Sequence, residues 1–347
     1  MTVRRIAALL ASTCALALLA GCGTTVNTAK ETFKRTTVPA TAVTSGTGGP
    51  SPTGGPTGSE DPGHPVDPIY ARDKLRLVYP CGLVDTKAIM GSSGEPEQPE
   101  LQDYNKCFFT VKGDSSVPRA YVTLDEHTYV GDDDPKTTVA GLTATTDDTI
   151  SQGTCFVEGI IQRDPDRSIT LQVHWDGGDA CDLGKKLLES VVKNIKAGSS
   201  LYRVAQGNLV NLDPCASLSD SEATSVLAGS AKPDDEADPH DCNWSAESGG
   251  ETVRVHYLLG PDPSSVATES PKPVKVNSVD GISEKDSSGD GCTVSWKHKP
   301  VTGDNPDVDP SWFEVVEVAV DGKPGGKDSC EAALTAAKLV QSKLPAP

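Results

Sequence analysis

Eight cysteines constrain this chain more than anything else in it. Cys81, Cys107, Cys155 and Cys181 are separated by 26, 48 and 26 residues, and Cys215, Cys242, Cys292 and Cys330 by 27, 50 and 38. Two quartets on one spacing, with a single insertion assigned to the "KPVTGDNPDVDPSW" stretch, form an internal repeat. The neighbours recur with them: "YPCGLVDTKAIMG" answers "DPCASLSDSEATSVLAG", "KCFFTV" answers "DCNWSA", and "VAGLTATTDDTISQGTCFV" answers "VDGISEKDSSGDGCTVSW". Such a chain has to build the same small unit twice.

Whether those cysteines pair depends on the compartment, and the N-terminus addresses that. Arg4 and Arg5 precede the apolar run "IAALLASTCALALLAGC", which is too short for a stable span and reads as a signal peptide over 1–21. Leu19, Ala20, Gly21 and Cys22 match a lipobox and resemble bacterial lipoproteins, in which the cysteine thiol receives a diacylglyceryl group carrying fatty acids such as palmitate. Cys22 is therefore the expected lipidation site, and Cys14 leaves with the signal. Residues 22–72 are dominated by Thr, Ser, Gly and Pro, hold too few large apolar residues for a core, and read as a flexible tether.

An exported chain with regularly spaced cysteines is read as disulfide-bonded. Of the three connectivities open to each quartet, the favoured one joins Cys81 to Cys107, Cys155 to Cys181, Cys215 to Cys242 and Cys292 to Cys330. That pairing staples a first helix to an early strand and a late strand to a closing helix.

Periodicity supplies those elements. "DACDLGKKLLESVVKNI" (179–195) aligns Leu183, Leu187, Leu188, Val191, Val192 and Ile195 on one helical face, and "DSCEAALTAAKLVQSKL" (328–344) aligns Ala333, Ala337, Val340 and Leu344. Ser219 and Glu222 form a capping-box pattern, and Gly91 and Gly229 are read as the ends of the short helices. Period-two alternation marks strands at Ile169, Leu171, Val173 and Trp175, at Val253, Val255, Tyr257 and Leu259, and, with one slip, at Phe313, Val315, Val318 and Val320. The expected fold class is α+β: two tandem disulfide-stapled domains, residues 74–197 and 210–347, each an antiparallel sheet covered by a short N-terminal and a longer C-terminal helix.

The lipobox, the tether, the "DPC" start, the "CNW" strand and the cysteine-headed last helix resemble the actinobacterial lipoproteins of the DUF3558 family, closely over 213–345 and more loosely over 77–195. A more distant resemblance is to the two-disulfide extracellular sensor domains of mycobacterial serine/threonine kinases. The first copy departs from the pattern where Tyr79 replaces the Asp of "DPC" and Phe109 the Trp of "CNW". The resemblance implies a cell-surface lipoprotein and brings no catalytic residues.

Chemistry is sparse in the sequence. Ser190 and Lys193 fit S-x-x-K, without the S-D-N or K-T-G partners that such enzymes use. His174 and His256 fall out of phase with the apolar strand residues and are expected to face solvent. Acidic loops at 131–134, 232–241, 285–291 and 303–309 do not follow calcium-loop spacing. A formal charge of −18, or −20 without Arg4 and Arg5, repels nucleic acid and anionic head groups. The chain is thus expected to be no enzyme, with no cofactor and no metal. It reads as a lipid-anchored protein on the extracellular face of the cell membrane, a noncatalytic binding or interaction module for an envelope protein or a small extracellular ligand. The alternatives are a structural or sensory accessory of an envelope complex and an extracellular hydrolase.

Overall fold

A computed structural model describes residues 63–347 apart from 115, 132–134, 150, 235–237, 248, 268–269 and 302–306. The first domain opens with α1 (Arg72–Leu75), a 3-10 turn (Pro80–Leu83) and α2 (Thr86–Met90). Its strands are β1 (Glu100–Asp103), β2 (Lys106–Thr110), β3 (Arg119–His127), β4 (Lys136–Val139), β5 (Leu142–Asp147), β6 (Thr154–Gln162) and β7 (Arg167–His174), and α3 (Ala180–Ala197) closes it. The second opens with α4 (Pro214–Ser217) and α5 (Asp220–Leu227), followed by β8 (Ala231–Asp234), β9 (Asp241–Ala246) and β10 (Thr252–Gly260). After α6 (Pro263–Val266) come β11 (Lys272–Val276), β12 (Val279–Lys285), β13 (Gly291–Pro300) and β14 (Phe313–Asp321), and α7 (Ser329–Gln341) ends the domain.

Both sheets are antiparallel and seven-stranded, ordered β1-β2-β3-β7-β6-β5-β4 and β8-β9-β10-β14-β13-β12-β11. The two orders are the same, so the cysteine spacing corresponds to a repeat of topology. The disulfides are Cys81 to Cys107, Cys155 to Cys181, Cys215 to Cys242 and Cys292 to Cys330. In each domain one bridge ties the opening helical turn to the second strand, and the other ties the sixth strand to the closing helix.

Cross-strand register explains why each sheet has a core face. Cys107, Val122, Leu171 and Val157 lie side by side in the first sheet, as do Cys242, Val255, Val318 and Val294 in the second. The six apolar residues of α3 are all buried on the first face, and burying a side chain such as Leu187 or Leu188 contributes about 1.5–3 kcal/mol. Helix α3 comes close because position 184 is glycine: a Cβ there would lie 2.6 Å from Val157 Cγ2. Helix α7 reaches the same closeness with Ala332, Ala333, Ala336 and Ala337, all buried, while Leu344 falls beyond its end and is half-buried. Trp244 is fully buried and its indole N–H donates to Asp220 at 3.2 Å; its counterpart Phe109, equally buried, needs no partner.

Several boundaries differ from the sequence reading. Ordered structure reaches into the end of the segment read as tether: Asp67 caps a 3-10 turn, Tyr70 is buried, and Val66 N–H donates to Ile161 O. The stretch between the repeats is also packed in, with Tyr202 and Leu209 buried. Ser219 and Glu222 do form the capping box, but α5 ends on Ala228 in the left-handed region, one residue before Gly229. Strand β14 pairs with β10 without a break, and the slip after Val315 reflects burial of both its faces, with a bulge at Lys297 and Lys299 in β13.

Candidate functional site

The two domains lie in one compact unit, so the line where they meet is a site in its own right. Strand β9 pairs with β10 as far as His256, and just before β9 His240 O still accepts the Tyr257 N–H at 2.9 Å. The first domain takes the next amide along that edge. Asp103, at the end of β1, accepts the Leu259 N–H at 3.2 Å and its own neighbour Tyr104 N–H at 2.7 Å, and its other oxygen lies 3.7 Å from His256 Nε2. His256 is therefore not the solvent-facing residue its phase suggested: its side chain is 14% exposed because the first domain covers this face of β10.

Beside this link the contact is aromatic and polar. Tyr202 packs edge-on against Tyr79 and Tyr104 and donates its hydroxyl proton to Tyr104 O at 2.7 Å. His240 stacks on Tyr104 at 4.6 Å, and burial, with Arg76 adding to it, holds its imidazole well below the usual range. Arg76 donates to Pro239 O at 2.8 Å and pairs with Asp213 at 3.2 Å. Tyr79, which stands where the second copy has Asp213, sends its hydroxyl to Asp307 instead. Both halves of the "YPC" and "DPC" pair thus face the other domain.

Next to the contact a cleft of about 620 Å³ opens between the domains. Lys106, Thr123, Glu126 and His127 come from the first sheet, and Asp241, Asn243, Thr252 and Arg254 from the second. Burial, opposed by His256 and reinforced by Asp238, pushes the Asp103 carboxyl up to about 6. Asp238 is also raised, mainly by burial and with Asp241 adding like charge. Arg254 pairs with Asp241. Two further hollows lie on the outer face of the first sheet. One, of about 450 Å³, is lined by Phe108, Tyr121, Arg119 and His174; the other, of about 920 Å³, by Phe156, Thr145 and Tyr129, which is 91% exposed.

The residues singled out from sequence sit elsewhere. Cys22 lies outside the described residues, and none of the eight paired cysteines lines the cleft. Ser190 donates to Leu83 O at 3.1 Å, a bond that ties α3 to the opening turn, and Lys193 is exposed. In the acidic loop at 285–291, Asp286 accepts from Ser288 and from the Gly289 and Gly291 amides, so its charge is held by its own turn. Residues 132–134, 235–237 and 302–306 of the other acidic loops are outside the description. Among the described residues no group of three or more His, Cys, Asp and Glu could hold a metal ion, and no helix is long and apolar enough to cross a membrane.

Periodicity gave no sign of two polar arrays. Asp125, in a left-handed conformation at a bulge in β3, is buried with Arg167, and Arg72 lies 3.5 Å away. At one end of β6 and β7, Ser151 donates to Thr154 at 2.7 Å, Thr154 meets His174 Nδ1 at 3.0 Å, and His174 Nε2 lies 3.5 Å from Asp176. That hydroxyl, imidazole and carboxylate order is the order of a nucleophile relay. Here the His and Asp side chains are 38% and 54% exposed, where water screens them, and Thr154 itself is buried.

Comparison with known proteins adds little to this geometry. No protein-family model and no curated protein matches the chain. Among solved structures, the crystal structure of MucB in complex with MucA(peri) aligns over 66% of this chain and 86% of that chain, at 11% identity and a TM-score of 0.12. A likeness that slight supports no inference about fold or function.

Proposed function

We propose that this chain is a lipid-anchored cell-surface protein of the DUF3558 type, acylated at Cys22, in which the two stapled domains act together as a noncatalytic binding module on the extracellular face of the membrane. The observation that carries the binding role is the cleft between the domains. It is a concave polar surface made jointly by both copies and next to their shared contact, which is where binding sites concentrate in multi-domain proteins. The anchor and the family assignment rest on the lipobox and on the repeated motifs.

The test is capture from envelope extract by the full chain, compared with a Thr123→Trp variant that fills the cleft from β3. Loss of the captured species in the variant is the expected result; equal capture by both proteins overturns the cleft assignment. Labelling with a radioactive fatty acid, present in the parent and absent in Cys22→Ala, checks the anchor independently.

A further inference from the structure

The two sheets share a strand order but not an outer face. In the first sheet Phe108, Tyr121, Gln172 and Phe156 lie side by side across four adjacent strands, on the face opposite the buried Cys107, Val122, Leu171 and Val157. The register-equivalent positions of the second sheet hold Asn243, Arg254, Ala319 and Thr293. One row further along the strands, Arg119 and His174 correspond to Thr252 and Asp321. The second domain builds the same topology without the aromatic row, so the fold does not require it.

Those aromatics are half-buried and wall a hollow rather than a core. Phe108 and Tyr121 pack with ring centroids 4.8 Å apart along one side of the hollow of about 450 Å³. Phe156, two strand spacings or about 10 Å beyond Tyr121, belongs to the larger hollow next to it. The polar groups among them are free: among the described residues the Tyr121 hydroxyl, the Gln172 amide and the Arg119 guanidinium make no hydrogen bond or ion pair. Charge is balanced here, unlike in the chain as a whole, because Arg119 and Glu97 line the same hollow. Lys106, with its Nζ 5.1 Å from the Tyr121 ring centroid, already gives that ring a cation.

We propose that the outer face of the first sheet binds a neutral, β-linked oligosaccharide. A gluco-configured sugar ring carries axial C–H groups on its faces and hydroxyls around its edge. Its faces match the aromatic side chains, and its hydroxyls match a mixed set of donors and acceptors with no net charge. A β-linked chain is extended, so separate rings of one molecule reach the Phe108 and Tyr121 wall and Phe156. An apolar peptide would bury the free Gln172 and Arg119 donors without partners, which is unfavourable. A cationic ligand would meet Lys106 and Arg119. The hollow shares no lining residue with the cleft between the domains, so the site stands apart from the binding role assigned there.

The experiment is titration of the full chain with cellotetraose and with chitotetraose, followed by calorimetry and by saturation-transfer NMR. At least one of the two should bind, with transfer strongest to the axial ring protons that stacking brings against the aromatics. Phe108→Asn, Tyr121→Arg and Phe156→Thr together install the residues that the second copy carries at the same register, and should abolish binding while leaving the circular dichroism spectrum unchanged. Arg119→Thr, at an exposed position, should weaken it about tenfold and decides the matter if the triple variant does not fold. Maltotetraose, whose α-linked rings curve, should bind at least tenfold more weakly. Binding of neither β-linked sugar, equal binding of maltotetraose, or binding unchanged in either folded variant overturns the proposal. Self-association of the parent that the triple substitution abolishes would assign the aromatic row to a second copy of the chain, and overturns it as well.

Discussion

Replacing Cys292 and Cys330 together by alanine tests the staple and the shared contact in one measurement. The bridge spans 38 residues, and in the chain-entropy treatment a loop of that length raises the stability of the folded state by about 4 kcal/mol at 25 °C. The unit that loses this stability is not the second domain alone. Buried residues of both domains belong to one continuous hydrophobic core, and Tyr104, Tyr202 and His240 join the halves. The variant should therefore unfold in urea in a single transition moved to lower denaturant, with the same midpoint by tryptophan fluorescence and by far-ultraviolet circular dichroism. Trp244 and Trp296, both fully buried in the second domain, dominate the first signal, whereas α3 contributes strongly to the second. A loss below about 1 kcal/mol would refute the entropic argument. Two transitions, one of them at the parent midpoint, would show that the domains unfold independently and that the contact between them is weak.

Asp125→Ala leaves Arg167 buried without its carboxylate and should lower stability by about 3–5 kcal/mol in the same urea assay. Tyr202→Phe removes one buried hydrogen bond, to Tyr104 O, and should cost about 1 kcal/mol; Tyr202→Ala, which also empties the aromatic contact, should cost about 3–5 kcal/mol and split the transition if the domains are held mainly there. For Asp103 the folded-state value is raised above 3.8, so folding is opposed by its charge above about 6 and relieved of that cost as pH falls toward 3.8. Asp103→Asn should be more stable than the parent by about 3 kcal/mol near pH 7.5, with the gap closing near pH 4. A gap independent of pH would show that the folded state does not raise the Asp103 carboxyl above its unfolded value.

What the sequence made legible was periodic. The α3 stripe, the capping box at Ser219 and Glu222, and the alternation of β7 and β10 can each be read because one face is apolar and the other is not. Strands β4 and β11 escape the same reading: "KTTV" and "KPVKV" sit at sheet edges with little burial, so no apolar face distinguishes them from loop. The cleft was invisible for another reason. Period-two reasoning assumes one wet face, and β10 has none over His256, because β1 of the other domain lies there. Asp103, Asp238 and Tyr202 then look like ordinary linker and strand residues. Only the meeting of two copies more than a hundred positions apart gives them a common environment.

The bridge between Cys81 and Cys107 also governs how the molecule bears tension. A pull arriving from the N-terminal side meets, among the described residues, two backbone bonds at the start of the first domain, Gly63 N–H to Arg163 O and Val66 N–H to Ile161 O. Beyond them residues 67–80 are held by the buried Tyr70 and Leu75 and, through Arg76 and Tyr79, by the second domain, so drawing out residues 63–80, about 60 Å of chain at full extension, also breaks the contact between the domains. Peeling then halts at Cys81, which is covalently fastened to β2 in the middle of the core face. Beyond that point the load passes into the sheet through a sulfur bridge, and the first domain acts as a mechanical stop.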